Sequence, residues 1–192
     1  YSGGKMTDWG AHHNDIAQWG LGNDISHPEW GEGLRGPVKA RPEMVKFHEN
    51  GPHDVPGDFD VVYTYANGVE LRCHSSGENG VKFTGQDGYV FVSRGRIEAS
   101  LGGKVHSDNK DKIKQGAELD IFAEVKPESF AKRLYESRDH HENWLDCIAS
   151  RARPICDVEI GHRSCTICHL GTIALRLGRE VAWDPEAQEF VG

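Results

Sequence analysis

The chain has 192 residues, 37% of them hydrophobic and 27% charged, which is typical of one folded domain with a sizeable core. Its 30 acidic and 22 basic residues give a net charge of −8, and no basic patch is interleaved with aromatic residues, which argues against nucleic acid and anionic membranes as partners. No apolar run approaches the roughly 18–20 residues of a membrane span.

The first predicted helix covers residues 5–20. Thr7 is the expected N-cap, with Asp8 just inside the positive end of the helix. Gly20 and Gly22 are its stop signals.

The middle of the chain is predicted to be rich in strands. Residues 21–36 read as a loop, and residues 37–43 can form a strand. The clearest hairpin covers residues 59–76, and residues 81–100 show the same pattern of β-rich runs joined by turns. The expected turns lie at three dipeptides: Asn67-Gly68, a type I′ signal, Asp87-Gly88 and Arg94-Gly95.

The last third is predicted to be mainly helical. Residues 102–118 read as a polar, mobile loop and residues 126–137 as a turn or short helix. Helices are expected at 140–150 and 157–179, before a final extended segment at 181–190. In the first of these helices the apolar row is Trp144, Leu145 and Ile148. In the second, one row at helical spacing is Ile167, Leu170, Ala174 and Leu177. A parallel row beside it is Cys165, Cys168, Thr172 and Leu175.

This order of elements predicts an α+β fold, a single domain over residues 1–192 with an open, mostly antiparallel sheet and helices packed on one face. The other sheet face would be free for solvent, a substrate or a partner. A homo-oligomer could form there by pairing across a two-fold axis. The residues expected on that face are Val62, Tyr63, Tyr65, Phe83, Tyr89 and Phe91.

The five cysteines are odd in number, and four lie in or beside helical sequence near the C-terminus, so reduced thiols are expected. The cytoplasm is the favoured location. Because the chain opens on Tyr1 rather than Met, it reads as processed or truncated, and a periplasmic location is the alternative if a leader was removed.

The first helix also carries the main candidate site. Asp8, His12 and Asp15 recur at helical spacing and share one side of it, which Trp19 continues. Histidine suits general acid/base work near neutral pH, and a carboxylate one turn away can orient its ring. The alternative is a solvated helix face with carboxylate–histidine pairs, worth about a few tenths of a kcal/mol each.

A metal site is a further alternative for this helix. Asp8 and His12 are the best-placed pair, because His12 and His13 point about 100° apart. A third ligand would have to come from elsewhere, and the candidates are His74, His106 and His162.

Cys165-Thr166-Ile167-Cys168-His169 matches the C-x-x-C-H pattern of haem attachment but lies inside a helical apolar face, which favours buried structural cysteines. Zinc, with Cys156 and His162 nearby, stays an alternative. For Arg151, Arg153 and Arg163, structural ion pairs are the default and anion binding is the alternative. The tryptophans at positions 9, 19 and 30 could stack on sugar faces or pack in the core.

Residues 3–15, GGKMTDWGAHHND, resemble the G-G-x-x-x-D-x-G-x-H-x-x-D signature of the Gfo/Idh/MocA oxidoreductases, the relatives of glucose–fructose oxidoreductase and inositol dehydrogenase. Residues 141–192 are similar to the end of that family's substrate domain. The resemblance implies a C-terminal substrate domain, in which Asp8 and His12 act on a sugar hydroxyl and Asp15 lines the same pocket. His12 would be the general base, and Trp9, His13 and Lys5 would contact the substrate.

The chain departs from the family pattern because it has no strand–turn–helix unit at its start and no E-K-P motif, which supplies the family's catalytic lysine. It therefore resembles a substrate domain without its Rossmann domain. NAD(P) is expected only with such a domain, and this chain alone is expected to bind no cofactor, apart from a divalent metal in the alternative above.

Two functions compete at this point. The first is the sugar- or polyol-recognising part of an NAD(P)-dependent carbohydrate oxidoreductase, incomplete as a dehydrogenase on its own. The second is a stand-alone glycoside hydrolase or lyase that uses Asp8 and His12, with a divalent metal acidifying a water if one is bound. A carbohydrate is the expected ligand in both.

Overall fold

The computed structural model describes residues 3–22, 35–47, 54–109, 111–112, 119–123 and 135–192. The chain divides into two compact units, one made of residues 1–77 with 137–192 and the other of residues 78–136. Most of the loop predicted at 21–36, with Trp30, and most of the segment 126–137 lie outside the described residues.

The first unit is a sheet with helices on it. Its described elements are a 3-10 turn at Gly4–Met6, the helices α1 (Trp9–Gly20), α2 (His140–Ser150) and α3 (Val158–Leu177), and the strands β1 (Pro37–Phe47), β2 (Pro56–Tyr65), β3 (Glu70–His74), β8 (Val181–Asp184) and β9 (Glu189–Val191). The strands form one antiparallel sheet in the order β3-β2-β1-β8-β9. The register sets Tyr63 of β2 opposite Ala40 of β1 and Leu71 of β3.

The core of this unit lies where α3 crosses β1 and β2, with α1 packed beside α3. Alternate residues of β2 face the helices, as the pleat requires. Each large apolar side chain buried there contributes about 1.5–3 kcal/mol. The buried cluster comprises Met6, Ala40, Phe59, Val61, Tyr63, Ile167, Cys168, Leu170, Ala174, Leu175 and Val181.

Helix α3 packs tightly against a side chain of β2 at Gly171. A Cβ atom on this residue would lie 2.0 Å from the Tyr63 hydroxyl oxygen and 3.1 Å from the Met6 Cε. The missing side chain is therefore what lets the helix sit this near β2.

The second unit contains an antiparallel four-stranded sheet in the order β4-β5-β6-β7. Its strands are β4 (Val81–Thr84), β5 (Gly88–Val92), β6 (Arg96–Leu101) and β7 (Lys104–Asn109), and a 3-10 turn follows at Asp120–Ala123. Asp108 is 1% exposed, accepts a hydrogen bond from the backbone N–H of Ile121 and pairs with Lys112. This network holds the 3-10 turn onto the end of β7.

The α+β class, the antiparallel pairing and both C-terminal helices are confirmed. The prediction of one sheet is not, because the described strands form two. None of the helices in the described parts of the chain is long and apolar enough to cross a membrane.

The first helix begins later than predicted. A 3-10 turn covers Gly4–Met6, and α1 starts at Trp9 with Asp8 as its N-cap. Thr7 does not cap α1, because its hydroxyl accepts a hydrogen bond from the Gly3 N–H and donates to the Gly4 carbonyl. The helix ends at Gly20 as expected.

The 59–76 hairpin exists, but its turn is not type I′. Only Gly68 has positive φ, at 84°, whereas type I′ needs it at Asn67 as well. The Asn67 side chain instead accepts a hydrogen bond from the Val69 N–H, and the Gly68 N–H bonds to the Tyr65 carbonyl. A type I turn followed by a left-handed glycine accounts for this pattern.

The polar segment 102–118 was wrongly predicted to be all loop, because β7 occupies its start. Gly102 and Gly103 have φ of 57° and 81°, which is the type I′ conformation that joins β6 to β7. Residues 181–190 likewise form the β8–β9 hairpin rather than a single extended segment.

Several burial predictions are also wrong. Leu177 and Cys165 were expected on the buried face of α3, yet both are exposed. Of the six residues expected on a free sheet face, four are buried: Val62, Tyr63, Tyr65 and Phe91. The homo-oligomer stays a prediction, but most of the side chains that were expected to form its interface are buried.

Candidate functional site

Helix α1 is anchored to the core by polar side chains on one side. Asn14 donates from Nδ2 to the Cys168 Sγ at 3.4 Å, and the Gln18 Oε1 accepts from the Tyr65 hydroxyl at 2.5 Å. Asn14 and Gln18 are only 2% and 6% exposed. Buried polar groups of this kind are costly unless paired, so the pairing fixes the rotation of α1 about its axis.

The opposite side of α1 presents three of the predicted site residues to solvent. Asp8 and His12 are exposed, and Trp9 is 41% exposed. The Asp8 carboxylate accepts no hydrogen bond from the first turn of α1, although it occupies the N-cap position. Lys5, on the preceding 3-10 turn, is exposed as well.

The rings of this side lie against one another. The Trp9 indole meets His12 edge-on, with centroids 6.1 Å apart, and stacks on His13 at 5.9 Å. Trp9, His12 and His13 therefore form one group of neighbouring rings. Their catalytic and binding roles stay predictions.

Asp15 lies apart from this exposed group. Its Oδ1 accepts a hydrogen bond from the Ser164 hydroxyl of α3 at 2.5 Å, and the residue is only half-exposed. Asp15 thus faces α3, while Asp8 and His12 face solvent.

Asp15 lines a cavity of about 220 Å³ between α1, the α2–α3 connection and the start of α3. Its walls are mostly apolar. The lining residues are Asp15, Gln18, Trp19, Ile155, Cys156, Ile160, Arg163 and Ser164. Sequence reasoning did not connect these residues, although one signal existed: Ser164 falls on the buried row of α3 with Cys168, and a serine there implies a buried hydrogen bond.

Arg163 is the cationic group of the cavity. Its side chain is 10% exposed, and its Nε donates to the Glu159 carboxylate at 2.8 Å. The Nη1 nitrogen is buried and has no hydrogen-bond partner. The default interpretation of Arg163 as an ion-pair residue holds, but one donor of its guanidinium is left over.

The cysteines show no sign of a shared site. In the parts of the chain that the structure describes, no group of three or more His, Cys, Asp or Glu residues could hold a metal ion. Cys168 is 1% exposed and Cys165 is exposed, so the two do not face the same environment. Burial raises the pKa of Cys168 above its usual value and that of Cys73 to about 12, which keeps both thiols protonated.

Comparison with known proteins gives one family and several related structures. Residues 1–192 match the family described as "Oxidoreductase family, C-terminal alpha/beta domain". The comparison with curated proteins gives no match.

Three solved structures share the fold. An aldose-aldose oxidoreductase from Caulobacter crescentus, complexed with glycerol, has a TM-score of 0.60 at 16% identity, over 94% of this chain and 48% of that one. An oxidoreductase from Agrobacterium radiobacter, in complex with NAD+, L-tartaric acid and magnesium, has a TM-score of 0.57 at 15% identity, over 94% and 48%. The UDP-N-acetylglucosamine 3-dehydrogenase of Acidithiobacillus ferrooxidans has a TM-score of 0.53 at 15% identity, over 87% of this chain and 46% of that one.

This chain thus spans about half the length of these structures. The match covers the whole chain, and the α+β fold with an antiparallel sheet agrees with it. The chain belongs to the Gfo/Idh/MocA oxidoreductase family, of which it is the C-terminal α/β domain.

Proposed function

We propose that this chain is the carbohydrate-recognising domain of an NAD(P)-dependent oxidoreductase. The observation that carries the proposal is the exposed side of α1, where Asp8, Trp9 and His12 stand on a helix whose other side is fixed to the core. A fixed helix is a good support for catalytic side chains, because their placement must hold to a fraction of an ångström.

The side chains on this surface suit an alcohol substrate. Sugar C–H groups pack on an indole ring, which Trp9 offers at the surface. His12 would take the proton of the hydroxyl that is oxidised, since imidazole is a base near neutral pH. Asp8, exposed at the N-cap, would accept a hydrogen bond from a second hydroxyl.

The hydride acceptor would have to come from another domain or polypeptide. A dinucleotide lies on a strand–turn–helix unit between parallel strands, whereas every strand pairing in the described residues is antiparallel. The described residues therefore offer no such unit for NAD(P).

The substrate class is proposed from the family and from the site. The names of two structural neighbours refer to sugars, an aldose and UDP-N-acetylglucosamine, but their identity to this chain, 15–16%, supports only the fold. Nothing in the structure or the comparisons favours the glycoside hydrolase or lyase alternative.

Calorimetric titration of the purified chain with a panel of aldoses and polyols tests this function. We expect at least one ligand to bind, and His12→Ala to weaken that binding about tenfold, the loss expected from one or two hydrogen bonds. His169→Ala is the matched control, because His169 is an exposed histidine on α3 that lies outside the cavity and the α1 surface.

Two results would contradict the proposal. Equal binding by the wild type and by His12→Ala would remove His12 from the site. Reduction of NAD(P) by the purified chain with any sugar would show that this chain holds its own hydride acceptor.

A further inference from the structure

The cavity beside Asp15 is large enough to hold part of a ligand. Its volume of about 220 Å³ is below the roughly 300–1,000 Å³ of pockets that take whole drug-sized molecules, so it suits a substituent or one small ring. Trp19, at its edge, follows His12 by seven residues, which is two turns along the same side of α1 and roughly 10 Å. A ligand bound at His12 could therefore reach into the cavity.

The charges of the cavity favour a neutral group. The Arg163 guanidinium is already paired with Glu159. Asp15 adds a second carboxylate, so the three formal charges sum to −1. A carboxylate or phosphate on the ligand would meet Asp15 without a free cation to offset it.

The cavity also offers one donor and one acceptor. Arg163 lines the cavity, and its Nη1 is buried without a hydrogen-bond partner. A ligand oxygen that reached Nη1 from the cavity would satisfy this donor. Asp15 accepts from Ser164 through one oxygen, and a carboxylate can accept up to about four hydrogen bonds. An ammonium group could bind Asp15 but could not satisfy Arg163.

The rest of the wall is apolar or thiol. Ile155 and Ile160 contribute aliphatic carbon, Trp19 an indole that is 40% exposed, and Cys156 an exposed side chain. A short alkyl group buried against this wall would be stabilised by leaving water.

We propose that this cavity binds a secondary amide with a short alkyl tail, the acylamino substituent of a sugar whose ring lies along α1. The carbonyl oxygen accepts from Arg163, the N–H donates to Asp15, and the alkyl carbon rests on Ile155 and Ile160. This inference rests on the proposed function for the sugar ring, whereas the amide subsite is a property of the cavity itself.

The test compares three sugars that differ at one position: N-acetylglucosamine, glucosamine and glucose. We expect N-acetylglucosamine to bind at least tenfold more tightly than either of the others in calorimetric titrations of the whole chain. Equal binding of N-acetylglucosamine and glucose, or tighter binding of glucosamine, would overturn the proposal.

A filled cavity should remove this preference. Ile160→Trp places an indole in the space, and we expect it to bring N-acetylglucosamine to the affinity of glucose. Val158→Trp is the matched control, because Val158 is on the same helix, is 89% exposed and does not line the cavity. Cys156→Phe, which narrows the cavity from an exposed position, serves if Ile160→Trp fails to fold.

A sugar-free probe separates this inference from the proposed function. N-methylacetamide carries the amide alone, and its binding can be followed by saturation-transfer NMR. We expect a signal with the wild type and with His12→Ala, and its loss in Ile160→Trp. If sugars do not bind but the amide does, the proposed function fails and the subsite stands; if sugars bind and the amide signal is absent or survives in Ile160→Trp, the subsite fails alone.

Discussion

Helices α2 and α3 begin and end in the same way. Asp139 accepts hydrogen bonds from the N–H groups of His141 and Glu142, and Asp157 does so from Glu159 and Ile160. Each helix is followed by a left-handed residue, Arg151 after α2 and Gly178 after α3.

Their burial could hardly differ more. Helix α2 has no buried residue, and its apolar row stays exposed: Trp144 at 60%, Leu145 at 58% and Ile148 at 46%. Helix α3 buries eight residues, because it lies across β1 and β2. Local capping therefore decides where a helix lies in the sequence, and only a packing partner decides whether its apolar row becomes core.

The largest expected contrast is in thiol reactivity. Cys165 and Cys168 are three residues apart on α3, one exposed and the other 1% exposed. Burial also raises the pKa of Cys168, so little thiolate is available there. We expect Cys165 to react with an aromatic disulfide reagent at least a thousandfold faster than Cys168, whose reaction requires unfolding worth about 5–15 kcal/mol.

Mass spectrometry of partly labelled protein would measure both rates. Cys147 of α2, which is half-buried, should react at a rate between the two. Equal rates for Cys165 and Cys168 would mean that α3 does not lie on the sheet as described.

The next effect concerns the packing of α3. Gly171→Ala would force a Cβ against the Tyr63 hydroxyl, and overpacking of this kind costs about 1–3 kcal/mol. Gly161→Ala, on the same helix with open space around it, should instead stabilise by up to about 1 kcal/mol, since alanine favours helix. Urea denaturation of both variants measures the difference, and two effects of the same sign would refute the close approach.

The N-caps test the comparison of the two helices directly. Asp157→Ala should lower the free energy of unfolding by about 1 kcal/mol at neutral pH, because α3 is part of the core. Asp139→Ala should change the free energy of global unfolding by no more than about 0.5 kcal/mol and destabilise α2 alone. Circular dichroism and amide exchange would measure the two effects. Equal losses in the two variants would indicate that α2 is as firmly packed as α3.

The cost of losing Asp157 should depend on pH. Burial raises the pKa of Asp157, but hydrogen bonds from Arg153 and from two backbone N–H groups outweigh it and bring the pKa below its usual value. A depressed folded-state pKa gives stability that is present above the unfolded pKa of about 3.9 and is lost as pH falls through the folded value. The free energies of unfolding of the wild type and of Asp157→Asn should thus converge as the pH falls from about 4 through the folded-state pKa of Asp157.

A last pair of effects is expected at the C-terminal ends of the two helices. Gly178→Ala should destabilise by about 1 kcal/mol through its φ of 63°, since the space around it is open. Arg151→Gly should stabilise the end of α2, because glycine adopts the φ of 60° found there without strain. We expect slower amide exchange in α2 rather than a higher unfolding midpoint. Faster exchange in the variant would count against the left-handed cap.

Sequence reasoning located the helices and hairpins because their signals are local. The apolar rows at helical spacing and the glycines of the turns depend on near neighbours in the chain. The exposure of Trp144 could not be predicted, since its apolar row resembles that of α3 and only the tertiary contacts differ.

The candidate site also has a part that local sequence predicts and a part that depends on tertiary contacts. The spacing of Asp8 and His12 on one side of α1 follows from helical geometry. The separation of Asp15 does not, because it depends on Ser164, 149 residues later in the chain. Likewise, the orphaned nitrogen of Arg163 reflects tertiary burial, which no local pattern reports.

Met6 gives the exposed surface of α1 a vulnerability to oxidation. Its thioether is fully buried and accepts contacts from the Tyr63 hydroxyl at 3.6 Å and the Cys73 thiol at 3.9 Å. A sulfoxide formed before the chain folds would bring a polar oxygen into that buried site, where a polar group is costly unless it is hydrogen-bonded. Asp8 follows two residues later, so a sulfoxide at Met6 would also shift the carboxylate that we propose as a hydrogen-bond acceptor for the ligand.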